Sequence, residues 1–367
     1  MFQQTPQQGW LYFILFMLLI FVTTFYGQRI QALLWISEIE RVLARLERYL
    51  NESKTTAVEM ASRYGRSRRE VEEYINNLAD FFVISPVDLD PFGIIKKIEH
   101  LLNVRESKFE SHVDKLAPKA EKFEKQNLEG VLEVFMTLNL LYKIVRHYVL
   151  LGKKTQNIYT IMRIYMSLPE IIRNANALRE ALDAFSNGKP IGDGLGPLVA
   201  YKLMKGFPVK EVAKDTIMCE REFEQRKLIV IKAKGPGSCV GKPGDAVVKV
   251  LNRNNNVKKI ITVDVAVKLE GEKTGEIAEG VGVAIGGIGV DKYKIEEEAT
   301  KRKIPVEAII VKVSLLEAIS PMKKEIAEVA DKVVERIKRL CLEGTKPGDT
   351  VVVVGIGNSA GIGPKIE

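Results

Sequence analysis

Four short runs rich in valine and isoleucine lie in the second half of this 367-residue chain, and segments with helical periodicity separate them. Continuous apolar runs are typical of strands buried on both faces, and alternation with helices is typical of a mostly parallel sheet. We therefore expect residues 187–367 to form a mostly parallel three-layer α/β/α sandwich. The predicted strands are residues 228–233, 259–267, 306–314 and 350–355.

The preceding residues 28–186 have apolar residues at helical spacing throughout, so we expect a helical region there. One seam in this region has spacings of three and four residues, which fits either a short coiled coil in a homodimer or a helix packed on its own domain. Residues 55–83 have the spacing of a helix-turn-helix, but no winged strand pair follows. Nucleic-acid binding is therefore disfavoured. The seam residues are Ile36, Ile39, Leu43, Leu46 and Leu50.

Residues 9–26 are uncharged and apolar over about the length that crosses a bilayer. Trp10, Tyr12 and Tyr26 lie near the ends of this stretch, where aromatic anchors are common. We expect one transmembrane helix over residues 9–27, with residues 1–8 forming a short extracytoplasmic tail. Arg29 and Arg41 follow the stretch while no charged side chain precedes it, so the bulk of the chain is expected in the cytoplasm at the cell membrane.

The formal net charge of +8 is modest for this length, and positive and negative side chains are interleaved. The three cysteines have no metal-type spacing, which suits a reducing compartment. All three histidines precede residue 150. A site in the second half must therefore use carboxylates, thiols or backbone groups.

Asp193 lies in a glycine-rich turn, NGKPIGDGLGP, that opens a predicted helix. A carboxylate at a helix N-terminus most often caps the helix, but it also binds cations or acts on a substrate. Asp264 lies near the end of a predicted strand, and the GIGN segment that ends at Asn358 follows another. Ligands bind at the carboxyl ends of parallel strands, so we expect Asp193, Asp264 and Asn358 to meet there.

These segments resemble the hydrogenase maturation proteases and the spore germination proteases. In those families the first strand ends in G-x-G-N, and an acidic, glycine-rich turn and a helix follow. Here GIGN lies near the end of the chain and NGKPIGDGLGP begins the domain, so the resemblance implies a circularly permuted α/β domain over residues 187–367. The tail SAGIGPKIE partly repeats the second half of the motif, so a duplicated loop is the alternative. The whole chain also resembles an uncharacterised archaeal family of membrane-anchored proteins, a resemblance that implies no established activity.

The resemblance implies that Asp193 and Asp264 are catalytic residues or metal ligands of a peptidase. Asp291 lies in about the region that supplies a histidine ligand in the metal-binding members. Hard oxygen ligands favour Mg²⁺ or Mn²⁺, and a peptide or protein would be the substrate. A further set is predicted to bind substrate or the neighbouring loops: Gly235, Gly237, Gly355, Gly357 and Asn358.

Two functional classes remain open. The first is a membrane-anchored peptidase that depends on a metal or on the two aspartates. The second is a non-catalytic membrane-tethered scaffold or ligand-sensing module. Cys239 lies in a glycine loop, but no histidine follows to activate the thiol, so a plain turn is favoured over a nucleophile.

Overall fold

The computed structural model describes residues 6–81, 93–155, 157–286 and 289–363. The start of the predicted extracytoplasmic tail lies outside these residues. The chain divides into two compact units. The first comprises Met1–Glu52 and Thr137–Ala175, and the second comprises Ser53–Met136 and Asn176–Glu367.

Five helices precede residue 187 in the described part of the chain. α2 begins after Ser67, whose hydroxyl accepts the Glu70 N–H while the Glu70 side chain accepts the Ser67 N–H. This reciprocal pair satisfies N–H groups that a helix start leaves free. The helices are α1 (Pro6–Ser62), α2 (Arg68–Leu78), α3 (Ile94–Leu116), α4 (Lys122–Thr155) and α5 (Ile158–Ser186).

In the first unit, the buried face of α1 is formed by Ile39, Val42, Leu46 and Tyr49. This face includes two of the predicted seam residues. The rings of Trp35 and Tyr165 stack with centroids 5.4 Å apart. The other three seam residues are half-buried, so the seam packs at least partly within the chain, which favours packing on its own domain. The homodimer through this helix stays a prediction.

The predicted span over residues 9–27 is not found as one apolar helix. No single helix among the described residues is long and apolar enough to cross a membrane. Two helical arms, Gly9–Val22 and Tyr26–Ser62, meet at an angle of 56°. Only the two arms together have the length and apolar composition of a membrane span.

In the second unit, a seven-stranded sheet has the order β1-β2-β3-β7-β4-β6-β5. Its four central strands, β3, β7, β4 and β6, are parallel, while β1, β2 and β5 are joined antiparallel. The prediction of a mostly parallel sheet is therefore wrong for the sheet as a whole, because the seven-stranded sheet is mixed. The strands are β1 (Val209–Ala213), β2 (Thr216–Phe223), β3 (Arg226–Ala233), β4 (Val257–Val267), β5 (Ile277–Val281), β6 (Val306–Val313) and β7 (Thr350–Gly355).

The antiparallel strands β1 to β3 form two hairpins with tight turns. Glu224 and Gln225, between β2 and β3, have φ angles of 48° and 59°, and Asp215, between β1 and β2, has φ 51°. Positive φ at both central residues is the geometry of a hairpin turn that matches the twist of its strands. Neither turn contains glycine or asparagine, so these hairpins lack the usual turn signal in the sequence.

Helices cover both faces of the sheet. On one face α6 (Leu195–Met204) and α10 (Lys324–Leu342) share a core with Val351 and Val353 of β7. On the other face α7 (Pro243–Arg253) and α8 (Val290–Arg302) share a core with Val352 and Val354. A short α9 (Leu315–Ile319) precedes α10. The expected three layers are present, and β7 is buried on both sides.

Candidate functional site

Two segments far apart in sequence meet where β7 ends. The Asn358 N–H donates to Asp193 Oδ2 at 2.8 Å. Gly357, with φ 128°, lies against the turn that holds Asp193, since a Cβ there would be 2.0 Å from the Asp193 carbonyl oxygen. The GIGN segment and the glycine-rich turn therefore contact each other directly.

The side chain of Asp193 does not cap a helix. Residues Gly192–Gly194 form one 3-10 turn, and α6 begins at Leu195 with no side-chain hydrogen bond at its start. The extra turn places Asp193 ahead of α6 and directs its carboxyl group to Asn358. The most common interpretation of such a residue, a helix cap, is wrong here.

Asp264 lies on β4, one residue beyond the last pair between β4 and β7, Val263 with Gly355. It is 5% exposed. Its Oδ1 accepts the Val265 N–H at 2.7 Å and its Oδ2 accepts the Gly286 N–H at 3.1 Å. Asp264 thus fixes the segment that follows β5 to the carboxyl end of β4.

The two carboxyl groups are close enough to influence each other. Burial and then the negative charge of Asp193 raise the pKa of Asp264 to about 8, against the N–H groups of Val265 and Gly286, which lower it. Burial also raises the pKa of Asp193, against the N–H of Asn358. Two neighbouring carboxyls in this state hold a proton near neutral pH more readily than isolated ones do.

The predicted magnesium or manganese site is not supported by these donors. Asp291 lies apart from the pair, where its Oδ1 accepts the Gly244 N–H at 2.8 Å in the first turn of α7. Within the described ranges, no three His, Cys, Asp or Glu side chains are grouped to hold a metal ion. Three of the four oxygens of Asp193 and Asp264 already accept backbone N–H groups. A divalent cation bound by this pair therefore stays a prediction.

The four glycines predicted to bind substrate or loops lie against other parts of the chain. A Cβ on Gly355 would be 2.2 Å from the carbonyl oxygen of Gly196, and one on Gly235 would be 2.1 Å from that of Ile362. At Gly237 it would be 2.2 Å from the side chain of Gln126. These positions allow close contact between segments, as at Gly357.

A cavity of about 500 Å³ lies beside the strand ends, entirely within the second unit. Helices α3 and α4 form one wall, and the opposite wall comprises the β1–β2 turn, the loop before α7, the start of α8 and Asn358. The Asn358 amide donates to the Ser238 hydroxyl at 3.0 Å, and the Ser238 N–H donates to Asn127 Oδ1 at 3.0 Å. Gly286, which binds Asp264, also lines it. The paired aspartates hold segments that border this cavity.

Cys239 lines the same cavity, and its Sγ lies 3.2 Å from Ser359 Oγ. Burial raises the pKa of the Cys239 thiol. The thiol stays protonated at neutral pH, so the geometry does not point to a nucleophile.

Sequence reasoning missed the helical wall of the cavity. Glu106 and Glu110 are four residues apart on α3, and Glu129 and Glu133 are four apart on α4. All four line the cavity. The repeated spacing of four was the available signal, but the same spacing is typical of a solvated helix face.

Two family models match the chain. Residues 13–188 match the N-terminal domain of a protein of unknown function (DUF1512), and residues 191–363 match the C-terminal domain of unknown function (DUF1512). No curated protein matches the chain. No solved structure matches it either. The resemblance to the maturation and germination proteases therefore stays a prediction. Because the two matches together cover most of its length, the chain belongs to the DUF1512 family.

Proposed function

We propose that this protein is a membrane-tethered ligand-binding module whose second unit binds a small molecule in the cavity beside the strand ends. The cavity is the observation that carries the proposal. Its volume of about 500 Å³ is in the range of small-molecule sites, which lie preferentially at the carboxyl ends of strands. A bound molecule would contact Asn358 and Gly286, and both join directly to the aspartate pair.

The tether is proposed from the N-terminal arm of α1. The large apolar side chains from Trp10 to Val22 are exposed over the whole arm. A helix that is apolar on every side is typical of a membrane environment. Orientation with the bulk of the chain in the cytoplasm is proposed from the arginines that follow, beginning with Arg29.

The binding proposal is tested by narrowing the cavity. Val240 lines it and is 47% exposed, so Val240→Trp fills space at its edge without disturbing the core. Val281→Trp is the matched control because Val281 is 95% exposed on β5 and does not line the cavity. We expect a thermal-shift screen of amines, carboxylates, sugars and nucleotides to find a class that raises the Tm of the wild type.

The same class should also stabilise Val281→Trp, but not Val240→Trp. A ligand at about 100 times its Kd stabilises the native state by roughly 2.7 kcal/mol, which such a screen detects easily. If no class raises the Tm, or if the two tryptophan variants respond alike, the cavity is not a binding site.

A second candidate function is an aspartate-dependent peptidase. It is favoured by the close pair Asp193 and Asp264, since burial and then the negative charge of Asp193 raise the pKa of Asp264 to about 8. One protonated and one ionised carboxyl can activate water and protonate a leaving amine. Against it, Asp264 is almost fully buried and amide groups already occupy its oxygens.

The peptidase is tested with a mixed peptide library at pH 5 to 8. The hypothesis requires cleavage by the wild type and its loss in both Asp193→Asn and Asp264→Asn, with circular dichroism unchanged. If either variant still cleaves the peptides, the activity does not depend on this pair of aspartates. Cys239→Ser should cleave like the wild type.

A further inference from the structure

We infer that the cavity binds a small molecule carrying a primary ammonium or guanidinium group, and that Glu129 forms the ion pair with it. This inference rests on the proposed binding function and specifies its ligand. It follows from which charged groups around the cavity already have partners.

The basic side chains that line the cavity are all engaged. Lys242 Nζ lies 2.6 Å from Glu106, and Lys214 Nζ lies 3.0 Å from Glu106 and 2.7 Å from Glu110. Arg105 pairs with Glu133 at 2.9 Å. An anionic ligand would have to break one of these pairs to obtain a cation.

Among the acidic side chains that line the cavity in the described ranges, one carboxyl group has no partner. Asp215 pairs with Lys122, and Asp291 accepts the Gly244 N–H. Glu129 is the one charged lining side chain, within the described ranges, for which the structure gives neither a hydrogen bond nor an ion pair. It is half-buried, so water does not fully solvate it. An unpaired carboxyl at a cavity wall is suited to a cationic partner.

The surroundings of Glu129 place negative charge at this point. Glu110 and Glu106 face it from α3, Glu133 from α4 itself and Lys214 from the β1–β2 turn. Burial first, and then the three glutamates, raise the pKa of Glu129 to about 8, while Lys214 opposes them. Glu129 therefore holds a proton at neutral pH, and a bound cation would take the place of that proton.

The rest of the cavity fits the apolar part of such a molecule. Leu102 and Phe109 line it from α3, and Val240, Ile285 and Val290 line it from the opposite wall. An aliphatic chain that ends in a cationic nitrogen would place its chain against these residues and its charge at Glu129. Apolar walls with one oriented polar group are typical of small-molecule sites.

The test uses the full chain in detergent and isothermal titration calorimetry with n-pentylammonium, pentan-1-ol and pentanoate. These probes share a chain and differ in the charge of the end group. We expect pentylammonium to bind most tightly. Glu129→Gln should weaken its binding by roughly tenfold or more, and Glu328→Gln should not, because Glu328 is exposed on α10 and does not line the cavity.

Proton release provides a second readout that a structural role of Glu129 would not give. At pH 7 most Glu129 side chains are protonated, so binding should release up to about one proton per ammonium. This is measured as a difference in binding enthalpy between phosphate and MOPS buffers, neither of which carries a primary ammonium group. The affinity should rise with pH up to about 8, the pKa of Glu129, and then level off. Glu129→Gln should remove both effects.

A third arm with an amino-terminally blocked lysine tripeptide amide distinguishes a free amine from a lysine side chain of a peptide. Binding of pentylammonium but not of the tripeptide assigns a free amine. If pentanol or pentanoate binds as tightly as pentylammonium, or if Glu129→Gln leaves the affinity unchanged, the inference is wrong. If Val240→Trp still abolishes binding in that case, the binding function itself stands.

Discussion

At the scale of single residues, Asp264 should make the stability of the protein depend on pH. Its folded pKa of about 8 lies above its ordinary value of 3.8, so the native state binds more protons than the unfolded state between these values. Stability must then fall as the pH rises from about 4 to about 8, by at most ~1.4 kcal/mol per pH unit, and stay level above. Urea unfolding at several pH values measures this slope.

Asp264→Asn isolates this contribution from that of Glu129, whose raised pKa acts in the same direction. The variant should be less stable than the wild type at pH 5, since its amide NH2 meets an N–H that the carboxyl group accepted, and this difference should shrink as the pH rises toward 8. Its slope between pH 5 and 8 should be smaller than that of the wild type. Asp331→Asn, at an exposed pair with Lys202, should keep the wild-type slope. Equal slopes in all three proteins would contradict the raised pKa.

The meeting of Asp193, Asp264 and Asn358 could be predicted from sequence because each follows a recognisable strand or glycine turn. The carboxyl ends of neighbouring parallel strands lie at the same edge of a sheet, and this does not depend on the conformation of the loops. The role of Glu129 could not be predicted in this way. Its position at a cavity depends on how α3 and α4 pack in the second unit, and no local pattern records that packing.

At the scale of elements, the approach of α6 to the sheet should depend on Gly196. A Cβ there would lie 2.1 Å from the carbonyl oxygen of Ile356 and 2.6 Å from that of Val263. Alanine favours helices over glycine by about 1 kcal/mol, but the clash is with backbone that cannot turn away. We expect Gly196→Ala to destabilise the protein by about 1–3 kcal/mol, measured by urea unfolding.

Gly280→Ala is the control for that substitution. Gly280 lies on the edge strand β5, where an added Cβ meets nothing within 4 Å. The free energy of unfolding should change by less than about 0.5 kcal/mol. A Gly196→Ala variant as stable as this control would show that α6 can move away from β7 without cost.

Element types were largely predictable where the sequence pattern was strong. β7 has its predicted bounds, residues 350–355. The strands β1 and β2 were missed because each mixes charged and apolar residues, and their partners were needed to identify them. The order of the strands, with the last one in the centre, is a property of tertiary structure that only the permuted resemblance suggested.

At the scale of the whole molecule, we expect the second unit to face the cytoplasm. Arg29, Arg41, Arg45 and Arg48 follow the apolar arm of α1, and positive residues near a span are retained inside. Protease added to intact cells should therefore leave the C-terminal domain uncut, and it should cut this domain once the cells are permeabilised. Digestion in intact cells would reverse the proposed orientation.

The position of β7 gives a second prediction at this scale. β7 is the last strand along the chain, yet it lies between β3 and β4, and both of its faces are buried. Deleting residues 350–367 would remove the hydrogen-bond partners of β3 and β4. It would also remove the valines that β7 contributes to the apolar core on each face of the sheet. We expect the truncated chain to lose its cooperative unfolding transition in calorimetry. Deleting residues 2–27 should preserve that transition, because this segment belongs to the first unit. A sharp transition in the chain without β7 would mean that the remaining strands close the sheet without their centre.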